Sequence, residues 1–366
     1  MEEALSSGSI TKVTDAELLD AALATITDNQ HLLLDAKAKL FNLNTDGTAK
    51  SDGSSLTGID WNPSHDASLL VSTYGMNTPV LTTNSANGGY FAYEKEIGII
   101  GEQGSRYMVL GGNPMRNYRW DSTLLNEQMH RFMENSLSWL TGHDNLKSAP
   151  LQVVIAHMDD SYYFKDETAV RAWLDQRYPG QISYNAADTC DDVALSVCLD
   201  AEPNLLLISQ HMNAMTDPAI VASAVKTAME QGIPVLYMHL DGGMTALGNA
   251  LFPLFGVTYY WDNYWKKLKL SGFDVRSSLS GIPADVRSIQ TMLNHFKARD
   301  YAIDWSACVN EDCSAVTGLV YEFQQGADVV RAMMDVLDAS KTNLFAKDGF
   351  RLQKLLALLG DSYRQD

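Results

Sequence analysis

The sequence lacks the long apolar runs and the basic clusters typical of membrane proteins and nucleic-acid-binding proteins. No run approaches the roughly 18 apolar residues of a transmembrane helix, so we expect no transmembrane segment. Lysine and arginine together number 27 against 45 aspartates and glutamates, which gives a formal net charge of −18. Phosphate binding requires clustered cations, so this balance argues against nucleic acid as a partner. The first residues carry no apolar core, so we expect no signal peptide within this sequence.

Two catalytic motifs are also missing from the sequence. It contains no His-Glu-x-x-His segment, which excludes a zinc peptidase site of that kind within this chain. It contains no Gly-x-Ser-x-Gly segment either, and this excludes the nucleophile turn of the common serine hydrolases.

Cysteines are few, but their spacing is informative. Cys190 precedes Cys198 by eight positions and Cys308 precedes Cys313 by five, with acidic and polar residues inside each pair. Local pairs in turn-like segments predict two small disulfide loops, and disulfides indicate a protein outside the cytosol. Four reduced thiols are the alternative. Zinc binding is disfavoured because neither spacing is that of a zinc knuckle and no histidine follows at ligand spacing.

The middle of the chain alternates short apolar runs with helical patterns. Three continuous apolar runs predict strands that are covered on both faces: Leu151–Ala156, Leu205–Ser209 and Ile233–Met238. The stretches Glu167–Arg177 and Asp217–Gln231 between them have helical periodicity. This alternation predicts a parallel sheet with right-handed crossovers.

The flanking regions differ in pattern and suggest three parts of the chain. Residues 12–43 predict two helices followed by a flexible linker, and the composition becomes helical again after the sheet. We therefore predict an α/β fold with a parallel-sheet, amidotransferase-like (flavodoxin-like) core and helical additions at both ends. The predicted parts are residues 1–56, residues 57–275 (with lobes 57–145 and 146–275) and residues 276–366.

Histidines and aspartates follow the three predicted strands. The carboxyl ends of parallel strands meet at one edge of a sheet, where ligands bind in this class of fold. Imidazole and carboxylate groups at that edge are suited to a divalent metal ion. The alternative is that polar residues gather at strand ends because side chains meet water there. The candidate residues are His157, Asp159, Asp160, His211, His239 and Asp241.

The densest aromatic run in the chain is Phe255–Trp265. Aromatic faces with aspartate and asparagine beside them can stack on sugar rings, which makes Trp261 and Trp265 candidate binding residues. Such a run is more often divided between the core and a domain interface, and we favour the interface interpretation.

The third strand and its turn, Pro234–Gly243, resemble the nucleophile turn of class I glutamine amidotransferases. His239 stands where that family has its catalytic cysteine, and the flanking glycines are missing or displaced. Without a thiolate or hydroxyl at this point, covalent catalysis has no nucleophile. The resemblance therefore implies an amidotransferase-like fold without amidotransferase activity.

Five further segments, spread over roughly residues 60–340, resemble the N-terminal, non-peptidase region of secreted bacterial metalloproteases of the immunomodulating and mucin-degrading (enhancin-like) type. In that family such modules precede a zinc peptidase domain that cleaves heavily glycosylated proteins. The resemblance implies that zinc belongs to that absent domain, that this chain carries no cofactor, and that no catalytic residue can be assigned to it. The segments are Trp61–Asp66, Val109–Pro114, Asn135–Leu140, Asn204–Ile208 and Asp241–Val257.

The resemblance implies a non-catalytic accessory region of a secreted zinc metalloprotease acting on glycoproteins. Its expected partners are the peptidase domain of the same protein and a glycoprotein or glycan, and its expected location is extracellular or at the bacterial cell surface. One alternative is a stand-alone metal-dependent hydrolase that uses the histidine and aspartate cluster. A purely structural spacer is another.

Overall fold

The structure is a computed structural model. It describes residues 35–62, 67–72, 77–83, 96–116, 125–147, 150–158, 166–211, 217–239, 245–263 and 275–277. Within these ranges, no helix combines the length and the apolar character needed to cross a membrane.

A mixed sheet is the centre of the fold. The strands within the described ranges are β1 (Ala67–Ser72), β2 (Thr78–Thr83), β3 (Glu96–Gln103), β4 (Ser105–Leu110), β5 (Leu151–Ala156), β6 (Ile182–Tyr184), β7 (Leu205–Ile208), β8 (Val235–Met238), β9 (Val257–Asn263) and β10 (Val275–Ser277). One half of the sheet is parallel, in the order β6-β5-β7-β8-β4. The other half is antiparallel and continues β4-β3-β2-β10, while β1 pairs with β3 and β9.

Helices cover the sheet: α1 (Glu127–Thr141), α2 (Asp166–Arg177), α3 (Ala194–Leu199), α4 (Pro218–Glu230) and α5 (Ala246–Leu251), with a 3-10 turn at Phe252–Phe255. Three of them begin at residues whose side chains accept a backbone N–H of the first turn: Asn126, Asp217 and Thr245. Gly142 ends α1 in the left-handed conformation, at φ 72°.

The core lies on both faces of the sheet, which explains why the central parallel strands β7 and β8 are hydrophobic throughout. All four residues of β7 and all four of β8 are buried. On one face α1 and α2 contribute Phe132 and Trp173 to a hydrophobic cluster. On the other face α3, α4 and α5 contribute Leu195, Val225 and Leu247 to a second cluster.

The predicted parallel sheet is confirmed in its main part. β5, β7 and β8 lie within the predicted runs, and they are hydrogen-bonded as parallel neighbours. β3 and β4 form an antiparallel hairpin, and its turn contains Gly104 at φ 75°. The fold is thus an α/β fold with a mostly parallel central sheet.

One local prediction needs correction. The sequence predicts a turn-like segment between Cys190 and Cys198, yet α3 forms inside it because Leu195 and Leu199 bury one side on the core. Helix α1 begins after Asn126, and Leu125 just before it forms a β-bridge with Trp61.

The predicted linker packs against the body of the protein. Leu56 and Trp61 are fully buried in the cluster that contains α1, and Arg131 of α1 donates a hydrogen bond to the carbonyl of Ser54. The division of the chain at residue 56 stays a prediction.

Candidate functional site

The parallel half of the sheet brings the described strand-end histidines to one edge. His157 follows β5, His211 lies three residues after β7, and His239 follows β8. Because β7 separates β5 from β8, the residues that follow those two strands lie two strand spacings apart, roughly 10 Å.

The backbone of His157 has a left-handed conformation, at φ 52°. Its N–H donates to the carboxylate of Asp191 at 2.7 Å, and its carbonyl accepts the N–H of His211 at 3.0 Å. A non-glycine residue in this region is uncommon and persists only where surrounding contacts fix it. Here the two backbone hydrogen bonds fix it.

Both ring nitrogens of His157 are also used. Nε2 lies 3.1 Å from the backbone nitrogen of Asp192, and Nδ1 lies 3.2 Å from the carbonyl oxygen of His211. A backbone N–H can only donate and a carbonyl can only accept, so Nε2 is the acceptor and Nδ1 carries the hydrogen. The ring is a neutral connector between two loops and presents no lone pair for a metal ion.

The loop that contacts His157 covers the end of β5. The side chain of Asn185 bonds both the N–H and the carbonyl of Ile155, at 2.8 and 2.9 Å, and so extends the pairing of β5. The Cys190–Cys198 disulfide ties this loop to α3, as the sequence predicts. Cys190 is buried in the core, whereas the Cys198 side chain is partly exposed.

His239 is as buried as His157, each 1% exposed, but it contacts core side chains instead of a loop. Its Nε2 is 2.9 Å from Oγ of Ser68 and 3.2 Å from Nε2 of Gln210, and its Nδ1 is 3.5 Å from the hydroxyl of Tyr237. Burial lowers the pKa of His239 to about 3. The imidazole is therefore neutral at physiological pH.

The tautomer of His239 follows from the amide of Gln210. The backbone N–H of Thr245 donates to Oε1 of Gln210, so the amide NH2 must point to His239. Nε2 of His239 is then the acceptor, and Nδ1 carries the hydrogen toward Tyr237. Thr245 also donates its hydroxyl to the Gln210 carbonyl at 2.8 Å and caps α5, which fixes the loop.

Ser68 and His239 have the separation of a nucleophile and its general base. Two features oppose that chemistry: Ser68 is 0% exposed and His239 is 1% exposed, so a substrate has no access to the pair. His239 is also absent from the non-glycine residues with positive φ among those described, so its turn lacks the strained geometry of a nucleophile elbow.

A glycine allows Ser68 to reach this position. The backbone N–H of Ser68 donates to the carbonyl of Gly111 at 2.6 Å, directly after β4. A Cβ atom at Gly111 would overlap the carbonyl oxygen of Ser68, so only glycine permits this approach.

A buried polar cluster at the end of β4 was missed by sequence reasoning. The side chain of Asn113 donates to Asp166 at 2.7 Å, and Nη1 of Arg116 lies 3.9 Å from the same carboxylate. The neighbouring Glu167 pairs with Arg171, and burial raises the pKa of Glu167. These contacts join the start of α2 to the sheet. The acidic start of α2 was the one available signal, and a helix cap explains it equally well.

Several predicted site residues lie outside the described residues: Asp159, Asp160, Asp241, Trp265, Cys308 and Cys313. Trp261 is in β9, where its backbone pairs with Leu69, and nothing is described of its side chain. Among the residues that the structure describes, no three histidine, cysteine, aspartate or glutamate side chains are grouped so that they could hold a metal ion. The described residues do not fit a zinc site.

Comparisons with known proteins give a consistent result. Residues 57–250, more than half of the chain, match the profile of the immunomodulating metalloprotease N-terminal domain, and residues 290–366 match that of the immunomodulating metalloprotease helical domain. A comparison with curated proteins finds no significant match.

Solved structures share the fold at low sequence identity. One is the IMPa metallopeptidase in complex with T-antigen, with 18% identity and a TM-score of 0.55. IMPa from Pseudomonas aeruginosa is similar both alone (16% identity, TM-score 0.54) and in complex with an O-glycopeptide (17% identity, TM-score 0.56). Each match covers 100% of this chain but only 38–39% of the other chain.

Proposed function

Because the chain belongs to the immunomodulating metalloprotease family, we propose that it is a non-catalytic accessory region of a secreted zinc metalloprotease that acts on glycoproteins. Its role is to support the peptidase domain or to position the substrate. The chain spans less than two-fifths of the solved relatives, so the peptidase domain itself belongs to the proposal. Extracellular location is proposed with it, and the Cys190–Cys198 disulfide supports that location.

One observation carries the non-catalytic role. The two strand-end histidines that are best placed for chemistry, His157 and His239, use both ring nitrogens in contacts within the protein. Metal binding or proton transfer at either ring would first break these contacts, and at His239 it would leave buried polar groups without partners. At these two positions of the sheet edge, contacts within the chain therefore occupy the ring nitrogens that a ligand would need.

The amidotransferase-like fold is part of the same proposal. Four of the parallel strands lie in the order β6-β5-β7-β8, which reads 2-1-3-4 in chain order, as in flavodoxin-like sheets. The fifth parallel strand, β4, precedes them in the chain and also pairs with β3. The antiparallel half is thus an addition to a flavodoxin-like arrangement.

Glycoprotein binding is the second element of the proposal. Two of the similar structures hold a T-antigen or an O-glycopeptide, and this supports a glycosylated ligand for the longer protein. Trp261 and Trp265 are the candidate anchors in this chain, because aromatic rings stack on sugar faces.

The test uses the purified chain and a mucin-type O-glycopeptide, with and without added zinc. We expect no cleavage in either condition, while an active metallopeptidase of the family serves as the positive control. Cleavage by the purified chain would overturn the accessory role. Calorimetric titration with glycosylated and unglycosylated peptide then tests binding, and unchanged glycopeptide binding in both Trp261→Ala and Trp265→Ala would remove the tryptophans as anchors.

A further inference from the structure

A groove runs between α3 and α4. It has a volume of about 440 Å³. Its lining residues on α4 recur every three or four positions from Ala219 to Gln231, and at 1.5 Å per residue this face is about 18 Å long. The groove thus follows the full length of α4. Its lining consists of Ser196, Leu199, Asp200, Ala219, Ile220, Ser223, Ala224, Thr227, Ala228 and Gln231.

Exposed apolar side chains border this groove. Within the described residues, the large hydrophobic side chains that are exposed are Val193 (67%), Val197 (70%) and Ile220 (43%). Ile220 lines the groove, whereas Val193 and Val197 lie beside it, three positions before the lining residues Ser196 and Asp200 respectively. α3 and α4 already bury another stripe on the sheet, so this is a second apolar surface on each helix.

The shape of the groove favours a helix as its ligand. Ser223, Ala224 and Ala228 are small, so the backbone of a partner can approach α4 closely. A long, open groove between two helices with aliphatic side chains at its border fits the apolar face of an amphipathic helix. Compact small molecules are instead bound in enclosed pockets that bury most of their surface.

The charges around the groove are mainly acidic. Asp200 lines it and is exposed, and Asp217 lies two residues before Ala219 at the start of α4. The nearby cation Lys226 pairs with Glu230 at 3.9 Å, so the two charges of this pair sum to zero. A helix with lysine or arginine beside its apolar face would complement this border.

We propose that the α3–α4 groove docks an amphipathic helix with aliphatic anchors and basic flanks, supplied by the peptidase part of the longer protein. The inference rests on the proposed accessory function. The matched relatives extend well beyond the region that this chain covers, so a partner domain of that kind is available in the family. The apolar groove supplies affinity, and the acidic border sets the orientation of the helix.

The probe is a fluorescein-labelled peptide of leucine and lysine, about four helical turns long, with its leucines on one face. Binding to the full chain is measured by fluorescence anisotropy. The control peptide has the same composition with leucines spread around the helix, and we expect it to bind at least tenfold more weakly. The same experiment uses Ile220→Asp in the groove and Val197→Asp at its border, with Ala49→Asp, on an exposed loop, as the matched charge control.

The aspartate variants separate apolar docking from charge attraction. An added negative charge strengthens the attraction of a basic peptide, whereas loss of a valine or isoleucine contact weakens apolar docking by about tenfold. We therefore expect weaker binding in Val197→Asp and Ile220→Asp and equal or tighter binding in Ala49→Asp. Val197→Ser removes the apolar contact without adding charge, and should weaken binding as well.

Three results would overturn the proposal: absence of binding, equal binding of the two peptides, or tighter binding in the groove variants. Sedimentation supplies another, since a wild-type dimer that Val197→Asp dissociates would make the groove an interface between two copies of the chain. Cleavage of the glycopeptide would overturn the accessory function whatever the peptide does. If the peptide does not bind and the glycopeptide is not cleaved, only the docking proposal for the groove is overturned.

Discussion

His157 and His239 occupy equivalent positions in sequence, each directly after a parallel strand, but their surroundings differ. The ring and backbone of His157 are held by a surface loop that the Cys190–Cys198 disulfide closes. The ring of His239 is enclosed by Ser68, Gln210 and Tyr237 in the core. Both histidines are 1% exposed, so the same local pattern yields two buried rings. What differs is the burial of their partners: Asp191 and Asp192 beside His157 are partly exposed, whereas Ser68, Gln210 and Tyr237 around His239 are buried.

The largest effect should come from removing the buried ring. His239→Ala leaves polar groups of Ser68 and Gln210 without this partner and opens a cavity, so we expect a loss of about 3 to 4 kcal/mol in the free energy of unfolding. His157→Ala should cost about half as much, because water can reach the surrounding loop. Urea unfolding of the two variants compares them directly, and an equal or larger loss in His157→Ala would break the distinction.

The burial of His239 should also make the free energy of unfolding depend on pH. The pKa of His239 is about 3 in the folded protein and about 6.5 when unfolded, so only the unfolded chain takes up this proton between those values. The stabilisation that comes from the neutral His239 ring is fully present above about pH 6.5 and is lost as the pH falls toward 3. Between pH 6.5 and 4.5, protonation of His239 in the unfolded chain should lower the free energy of unfolding by up to about 3 kcal/mol. Burial also lowers the pKa of His130, which adds in the same direction.

A variant isolates the His239 contribution to this pH dependence. His239→Gln keeps a polar side chain and removes the titration, so its stability should fall less steeply between pH 6.5 and 4.5 than that of the wild type. Chemical unfolding at a series of pH values measures both slopes. Identical slopes would mean that His239 is already protonated or exposed in the folded protein.

Removal of the Cys190–Cys198 disulfide should mainly affect the loop that contacts His157. Replacing both cysteines of the pair by alanine frees a loop of nine residues, and loop-closure entropy predicts a loss of about 2 kcal/mol. Amide hydrogen exchange should accelerate at His157 and Asp192 and remain unchanged at His239. Acceleration at all three amides would show that the two environments are coupled.

The second predicted disulfide, Cys308–Cys313, lies outside the described residues. Mass spectrometry of the unreduced protein should show four hydrogens fewer than the sequence requires. A deficit of only two hydrogens would leave the Cys190–Cys198 pair as the single bridge.

The smallest effect concerns one hydrogen bond of the loop. Asp191→Ala removes the acceptor of the His157 N–H, and we expect a loss of about 1 kcal/mol because water can replace the carboxylate. Asp191→Asn keeps an acceptor and serves as the control. A loss above about 3 kcal/mol would place this contact among those of the core.

Local sequence patterns predicted the elements but not the partners of the site residues. Continuous apolar runs identified β5, β7 and β8, since strands buried on both faces need apolar side chains throughout. Ser68 contacts a histidine 171 positions later, and nothing near Ser68 in sequence indicates that contact. The helix α3 was missed because its six residues are too short for a clear helical period.

The central claim is that both strand-end histidines are neutral connectors within the fold. Nitrogen-15 NMR of histidine-labelled protein at neutral pH, recorded before and after one equivalent of zinc, tests it most directly. The hydrogen-bond geometry predicts that His157 and His239 both carry their hydrogen on Nδ1 and that neither ring responds to zinc. A hydrogen on Nε2 of either ring, or a zinc-induced shift at either ring, would contradict it and return the edge of the sheet to a metal-binding role.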